Sequence, residues 1–178
     1  HGLTGLDKAS SGSVTLCGKD ISHADLRYRD LRGEDLRYSS LYGADMTGAL
    51  IDESTMLYGA DLRKAKGVPF IPMICPSEGA FVGWKVAMAN GEKHIVKLLI
   101  PENARRVSGT IRYCRCEMAW VLGIEGADEA HSINTPELMY RIGEPVYPDR
   151  FTPDRWDNYS HGIYFFVDRG EAERYEYK

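Results

Sequence analysis

Hydrophobic residues return at every fifth position through most of the first third of the chain. From Ile21 the spacing holds as far as Met56, after which it shifts by one residue to reach Leu62. A helix needs apolar residues three and four positions apart, and a half-buried strand needs strict alternation, so neither explains the run. A short fixed period is typical of a solenoid, in which each repeat forms one wall of a continuous coil. The series consists of Ile21, Leu26, Leu31, Leu36, Leu41, Met46, Ile51, Met56 and Leu62.

After Gly67 the pattern changes to strands and turns. Two prolines within residues 68–72 break the repeat, so we predict two domains, residues 1–66 and 67–178. In the second domain, Asn90-Gly91 is a strong hairpin signal between two strands. The elements predicted there are strands over 79–89, 93–100 and 110–124, a loop over 126–136, a helix starting at Thr135, a buried strand over 162–167 and a last helix capped by Asp168.

Composition narrows the function classes. The chain has 178 residues, of which 43% are apolar, and it contains neither a signal-peptide pattern nor an apolar run long enough for a membrane span. We therefore predict a cytoplasmic protein with no membrane partner. The net charge of −4 argues against binding a nucleic acid duplex by charge alone. The Cys114-x-Cys116 spacing lacks the second pair of a metal site, so we predict reduced, structural cysteines and no metal or cofactor.

Residues 24–27, 43–46 and 59–63 carry the repeat most clearly. They resemble the A-(D/N)-L-x-x unit of the pentapeptide repeat family. This resemblance implies a short right-handed quadrilateral β-helix, in which the central leucine and the small residue two positions before it point inward. Arg29 and Glu34 occupy the small position, so we expect that coil to be distorted or opened, or the two side chains to pair. The small inward residues are Ala24, Ser39, Ala44, Ala49, Ser54 and Ala60.

A column of little more than two coils is too short to imitate a DNA duplex. Its outward residues also mix arginine with aspartate, which is typical of a solvated face. The ends of so short a solenoid need covering. We expect the residues after Gly67 to cover one end and Leu3, Leu6, Val14 and Leu16 the other.

The second domain resembles the uncharacterised domain that follows pentapeptide repeats in proteins of bacteriophages and large viruses. Residues 81–85, 160–166 and 171–175 carry this resemblance. The fold expected from both resemblances is mainly β, a short β-helix followed by a small α+β domain. The origin implies a viral accessory role in the host cell cytoplasm, acting against a host defence and with a host protein as a possible partner.

Residues 162–166 and the helix after them also look like the nicotinamide-side strand and helix of ADP-ribosyltransferases. Such an enzyme needs a late glutamate on a further strand, whereas Glu171, Glu173 and Glu176 all fall on the predicted last helix or at its end. We therefore interpret the apolar residues of 162–166 as core and predict that the protein is not an enzyme. An enzyme like the ADP-ribosyltransferases is the alternative.

Five residues of the second domain are candidates for binding a ligand. Aromatic faces stack on bases, and arginine side chains bind phosphates through two N–H donors. The set predicts a small nucleotide that is sequestered intact and shared between two subunits of a homo-oligomer. The alternatives are that these residues belong to an ordinary core and surface, or that the repeat surface serves protein–protein interaction. The candidates are Trp84, Arg141, Arg155, Trp156 and His161.

Overall fold

The computed structural model describes residues 16–176 and divides into two compact units. The first unit extends to Pro72 and includes Trp156–Asn158. The second consists of Met73–Arg155 and the chain from Tyr159 onward. Within residues 16–176, no helix is long and apolar enough to cross a membrane.

Short extended segments stacked in parallel build the first unit. Parallel bridges join Asp20 to Ser40 and Asp25 to Asp45, so each layer of chain lies on the layer 20 residues later. Backbone hydrogen bonds hold the layers together, as where the N–H of Leu26 donates to the carbonyl of Asp45 at 2.8 Å. The five-residue series supplies the core. Its fully buried members are Leu26, Leu31, Leu36, Leu41, Met46 and Leu62, and Leu16 joins them.

An extra residue interrupts the period before Met56, where the spacing between bridged residues becomes 21. The prediction that Met56 points inward was wrong, because its side chain is 40% exposed and Leu57 packs against the core instead. Ser54 was also wrongly predicted to point inward, since it is exposed. The insertion moves both residues out of phase, and the hydroxyl of Thr55 donates to the Leu31 carbonyl at 3.1 Å.

Most of the positions predicted to carry a small inward residue are buried. Ala24, Ala44 and Ala60 are buried, as predicted. At the equivalent positions Glu34 is buried and Arg29 is half-buried, so these two large polar side chains stay in phase with the repeat. Their pairing stays a prediction.

Apolar residues beyond the repeat complete the core of the first unit. Val68 and Ile71 pack against it, in agreement with the covering role expected after Gly67. Trp156 packs against the same core. Of the residues expected to cover the other end, Leu16 is buried, whereas Leu3, Leu6 and Val14 lie outside the described residues.

Aspartate–arginine pairs cover much of the outward face. In each pair the arginine follows its aspartate by two positions and donates to the carboxylate through its side chain. The Arg27 side chain lowers the pKa of Asp25 to about 2, with a further contribution from the Arg27 backbone N–H. The ion pairs are Asp25–Arg27, Asp30–Arg32, Asp35–Arg37 and Asp61–Arg63, at 2.7–2.9 Å.

These pairs predict a loss of stability in acid. The pKa values of the paired Asp25, Asp35 and Asp61 are lowered in the folded chain, as is that of Asp45, which accepts from Thr47. A lowered pKa means that the contribution to stability is present above the unfolded value of about 4 and is lost as the pH falls through the folded value. We expect the melting temperature, followed by circular dichroism, to fall between about pH 4 and pH 2. An unchanged melting temperature over that range would contradict the assignment.

Two antiparallel sheets and one short helix form the second unit. A six-stranded sheet has the order β7-β6-β1-β2-β5-β8, and a three-stranded sheet has the order β3-β4-β9. The elements are β1 (Phe81–Ala89), β2 (Glu92–Ile100), β3 (Arg106–Ser108), β4 (Cys114–Cys116), β5 (Ala119–Ile124), β6 (Glu129–His131), β7 (Met139–Arg141), β8 (Pro145–Val146), β9 (Ile163–Phe165) and α1 (Arg169–Arg174).

The central hairpin is confirmed. Strands β1 and β2 pair in register from Phe81 with Ile100 to Ala89 with Glu92. The turn between them uses Asn90 and Gly91, whose φ values are 53° and 76°. Two successive positive φ values match the twist of a two-residue hairpin, which is why this dipeptide predicts it so well.

Three other predictions for this unit were wrong. The strand predicted over 110–124 is two strands, because β4 pairs within the three-stranded sheet while β5 pairs with β2. The chain therefore changes sheets between Cys116 and Ala119. The helix predicted from Thr135 is absent, since the chain there forms β7 and pairs with β6. That pairing also places a strand inside the loop predicted over 126–136. The last helix is confirmed but short, with Asp168 accepting a hydrogen bond from the backbone N–H of Glu171.

Candidate functional site

A cavity of about 300 Å³ opens in the second unit beside strands β1, β7 and β9. We call it the aromatic cavity. The ring of Tyr113 stands edge-on to the rings of Tyr164, Phe166 and Tyr175, with centroids 5.2–6.0 Å apart. Aromatic side chains in such arrangements form rigid, apolar walls. The aromatic residues lining the cavity are Tyr113, Tyr140, Tyr159, Tyr164, Phe165, Phe166 and Tyr175.

Strand β9 positions one side of this wall. Its residues alternate, because Ile163 and Phe165 are buried in the core while Tyr164 is half-buried. The interpretation of Ile163 and Phe165 as core is confirmed. The hydroxyl of Tyr164 donates to the carbonyl of Ser160, which ties the strand to the loop before it.

Lys85 brings a positive charge to the cavity wall. It lies in the middle of β1 and is only 7% exposed. Its Nζ donates to the Tyr164 carbonyl at 2.9 Å and lies 5.0 Å from the centroid of the Tyr140 ring. Burying an ammonium group is costly unless polar and aromatic partners surround it. Lys85 was not among the candidates from sequence, and its position in a strand of mostly buried residues was the only signal.

Tyr140 forms another part of the wall from strand β7. It is fully buried, and its hydroxyl has no hydrogen-bond partner among the described residues. Burial raises the pKa of Tyr140 far above its ordinary value, so the phenol stays neutral. Sequence analysis missed this residue because it predicted a helix where β7 pairs with β6.

A second cavity of about 610 Å³ adjoins the first, and we call it the outer cavity. Six residues line both: Asn134, Thr135, Leu138, Tyr159, Gly162 and Tyr164. The lining of the outer cavity also includes Glu137, Asp149, Ser160 and His161.

A hydrogen-bond network joins Asp149, Arg150 and His161 at the outer cavity. An Arg150 Nη lies 2.8 Å from Nε2 of His161. Because a guanidinium can only donate, Nε2 accepts and the ring proton lies on Nδ1, 3.4 Å from the Asp149 carboxylate. The backbone N–H of Arg150 donates to Asp149 at 2.8 Å and lowers the pKa of that carboxyl, with a smaller contribution from His161.

Arg115 fixes the loop that carries this network. The residue lies in β4 and is 3% exposed. Its guanidinium donates to the carbonyls of Thr152, His161 and Asp154 at 2.7–2.9 Å. A buried cation bound to three carbonyls restricts the loop, so the outer cavity has a defined shape.

Of the five ligand-binding candidates, only His161 lines either cavity. Trp84 lies under Lys97, whose Nζ is 5.6 Å from the ring centroid. Arg141 pairs with Glu129 at 3.1 Å. The other two make structural contacts: Arg155 donates to the Ser108 carbonyl at 2.8 Å, and Trp156 packs on the repeat core. The structure does not bring the five together in one cavity, and their role in binding stays a prediction.

The glutamates considered for transferase chemistry lie on or beside α1. Glu171 accepts two hydrogen bonds from Arg112, and Glu173 pairs with Arg169 at 2.6 Å. Neither lines the two cavities.

Four cysteines carry free thiols: Cys17, Cys75, Cys114 and Cys116. The Cys114 thiol beside it lowers the pKa of Cys75, and burial raises the pKa of Cys116 to about 12. Within residues 16–176, no group of three or more histidine, cysteine or acidic side chains is placed to hold a metal ion.

Comparison with known proteins gives two family matches. Residues 20–52 match pentapeptide repeats, and residues 71–172 match a family of unknown function, DUF5758. No curated protein and no solved structure matches the chain. The second match covers more than half of the sequence and includes the residues that line both cavities except Tyr175. The chain therefore belongs to the DUF5758 family, with a pentapeptide repeat segment before the family domain.

Proposed function

We propose that this chain is a non-catalytic binding protein whose second unit holds a small ligand with a planar ring in the aromatic cavity. The observation that carries the proposal is the pairing of aromatic walls with the buried Lys85. Ligand sites are typically concave and mostly apolar, with few polar groups that fix orientation. The volume of about 300 Å³ suits one ring system rather than a large ligand.

The chemistry of the wall supports a ring that carries a carbonyl or another electron-rich group. Rings stack favourably on the faces and edges of tyrosines. The Lys85 ammonium can donate to an oxygen of such a ring, and this charge-assisted hydrogen bond is stronger in an apolar wall than in water. A nucleobase has both a ring that can stack and an oxygen or nitrogen that can accept from Lys85. The proposed ligands therefore include small nucleotides and nucleosides.

Binding without reaction is favoured by the charges around the cavity. None of the described residues that line the aromatic cavity is a carboxylate. Of the glutamates considered for transferase chemistry, Glu171 and Glu173 are engaged by arginines elsewhere. The glutamate that does line a cavity, Glu137, lines the outer cavity and not the aromatic one. The transferase alternative therefore has the weaker support.

For the first unit we propose a right-handed quadrilateral β-helix that acts as a platform for protein–protein interaction. The parallel bridges 20 and 21 residues apart support the coil. Because of the aspartate–arginine pairs, the outward face carries both positive and negative charges. Such a face favours a protein partner over a nucleic acid duplex. A homo-oligomer, a host protein partner and a viral counter-defence role stay predictions.

Calorimetry tests the binding proposal. The panel is the common nucleobases, nucleosides and nucleotides, including cyclic dinucleotides and ADP-ribose. We expect at least one to bind the full chain, and Lys85→Met to weaken that binding by about tenfold or more, because a hydrogen bond to a charged group contributes about 1.5–3 kcal/mol. The ligand should be recovered intact after the complex is heated.

The matched control is Lys97→Met. Lys97 is an exposed lysine on the neighbouring strand β2, where it lies over the ring of Trp84. The Lys97→Met variant should bind the ligand with an affinity within about twofold of that of the original chain, since Lys97 lines neither cavity. Thermal unfolding of both variants checks that they fold. No binding to any compound of the panel, or equal losses in the two variants, would overturn the proposed site.

A further inference from the structure

The two cavities adjoin one another. Six lining residues are common to both, so the groups that line the outer cavity lie next to a ligand seated in the aromatic cavity. Tyr159 stands at the junction and is 74% exposed. The loop between β6 and β7 follows the junction with Asn134, Thr135 and Leu138, and the backbone N–H of Leu138 donates to the Thr135 carbonyl at 2.8 Å.

The charge of the site changes from one cavity to the other. Among the described residues, the aromatic cavity has Lys85 as its charged side chain, whereas the outer cavity has Glu137 and Asp149. The lowered pKa of Asp149 keeps it ionised at neutral pH. His161 accepts from Arg150 through Nε2. A ligand that spans both cavities therefore meets an ammonium at one end and carboxylates at the other.

Carboxylates select for hydrogen-bond donors and against anions. An ionised carboxylate only accepts hydrogen bonds, and two neighbouring hydroxyl groups are well suited to donate to it. A phosphate in the same place would be repelled by these carboxylates and, unlike a hydroxyl, would donate no hydrogen bond to them; the Arg150 guanidinium, bound to His161, offsets part of this repulsion. The polyol face of a sugar also packs well on tyrosine rings, and Tyr147 and Tyr159 line this cavity.

We propose that the ligand is a ribonucleoside, with its base in the aromatic cavity and its ribose hydroxyls donating to the carboxylates of Asp149 and Glu137. This inference rests on the proposed function and adds a ligand class to it. The base places a carbonyl or ring nitrogen near Lys85. The ribose passes Tyr159 and lies beside Asp149, so a free base fills half of the site and a nucleotide brings its phosphate to an acidic surface.

Calorimetry with matched ligands tests the inference. The probes are adenosine, guanosine, cytidine and uridine, each with its 2′,3′-dideoxy form, its free base and its 5′-monophosphate. We expect at least one ribonucleoside to bind about tenfold or more tightly than its dideoxy form, because the two hydroxyls donate to charged acceptors. The 5′-monophosphate of that nucleoside should bind more weakly than the nucleoside.

Variants at the carboxylates locate the effect. Asp149→Asn and Glu137→Gln keep the size of the side chain and should each weaken the ribonucleoside while leaving the dideoxy form unchanged. The control, Glu92→Gln, removes an exposed carboxylate at the β1–β2 turn, outside both cavities, and should change neither. Equal affinity for the two sugar forms, or tighter binding of the monophosphate, would overturn this inference alone, provided that Lys85→Met still weakens binding. Failure of every ring compound to bind would overturn the proposed function as well.

Discussion

Replacing Arg106 by methionine is expected to lower the free energy of unfolding by about 3 kcal/mol or more. Arg106 is 7% exposed, and its guanidinium donates to backbone carbonyls from separate segments of the second unit. Methionine fills similar space but cannot donate, so these carbonyls, one in a buried contact and the others in partly buried contacts, lose their partners. Each unsatisfied group costs about 1–3 kcal/mol, and several are lost together. The carbonyls belong to Pro76, Gly79, Pro101 and Ala104, at 2.7–3.2 Å.

The neighbouring Arg105 provides the control. Its side chain is 62% exposed and pairs with Glu117 at 2.5 Å. Exposed ion pairs contribute about 1 kcal/mol or less, so Arg105→Met should be nearly neutral. Urea denaturation of the two variants beside the original chain measures the difference. Similar losses for both would show that charge, rather than the hydrogen bonds to backbone carbonyls, stabilises this region.

Arg106 illustrates how an arginine can stabilise the fold rather than bind a ligand. A guanidinium has five donors and binds phosphates, carboxylates and carbonyls alike, so residue type alone cannot distinguish a ligand contact from a structural one. Arg115 and Arg155 also donate to backbone carbonyls. These carbonyls come from segments distant in sequence, and their meeting depends on tertiary structure. Arg155, predicted to bind a ligand, therefore gave no local signal of its structural contact.

Features encoded locally were predicted well. The Asn90-Gly91 turn and the Asp168 cap depend on backbone conformation and on hydrogen bonds within a few residues. The helix predicted from Thr135 failed for the opposite reason, because the pairing of β7 with β6 overrides a local start signal. Tyr140 lies in that misassigned segment, so a wall of the aromatic cavity was missed together with the strand.

The aromatic residues that line the aromatic cavity differ from those predicted to bind a ligand. Aromatic density in the second domain pointed to ring stacking, yet the tryptophans lie elsewhere and tyrosines line the cavity. Lys85 was missed because a lysine between apolar residues of a strand is usually assigned to the solvent-facing side of that strand. In β1 several consecutive residues are buried, so alternation does not report the direction of a side chain there.

The second prediction with a large expected effect concerns the five-residue period of the repeat. Leu41→Ala should lower the free energy of unfolding by about 2–5 kcal/mol, because Leu41 is fully buried in the repeat core and its removal leaves a cavity. Leu41 also lies between layers, since its N–H donates to the Asp61 carbonyl at 2.8 Å. Neighbouring layers therefore resist collapse into the space.

Leu50→Ala is the matched control for the period. Leu50 is the same residue type in the same unit, but it falls out of phase and its side chain is 50% exposed. Its loss should change the free energy of unfolding by about 0.5 kcal/mol or less, as is usual for exposed positions. Thermal and urea unfolding of the two variants give the comparison. If Leu50→Ala destabilised the protein as much as Leu41→Ala, the five-residue phase would not determine which leucines form the core.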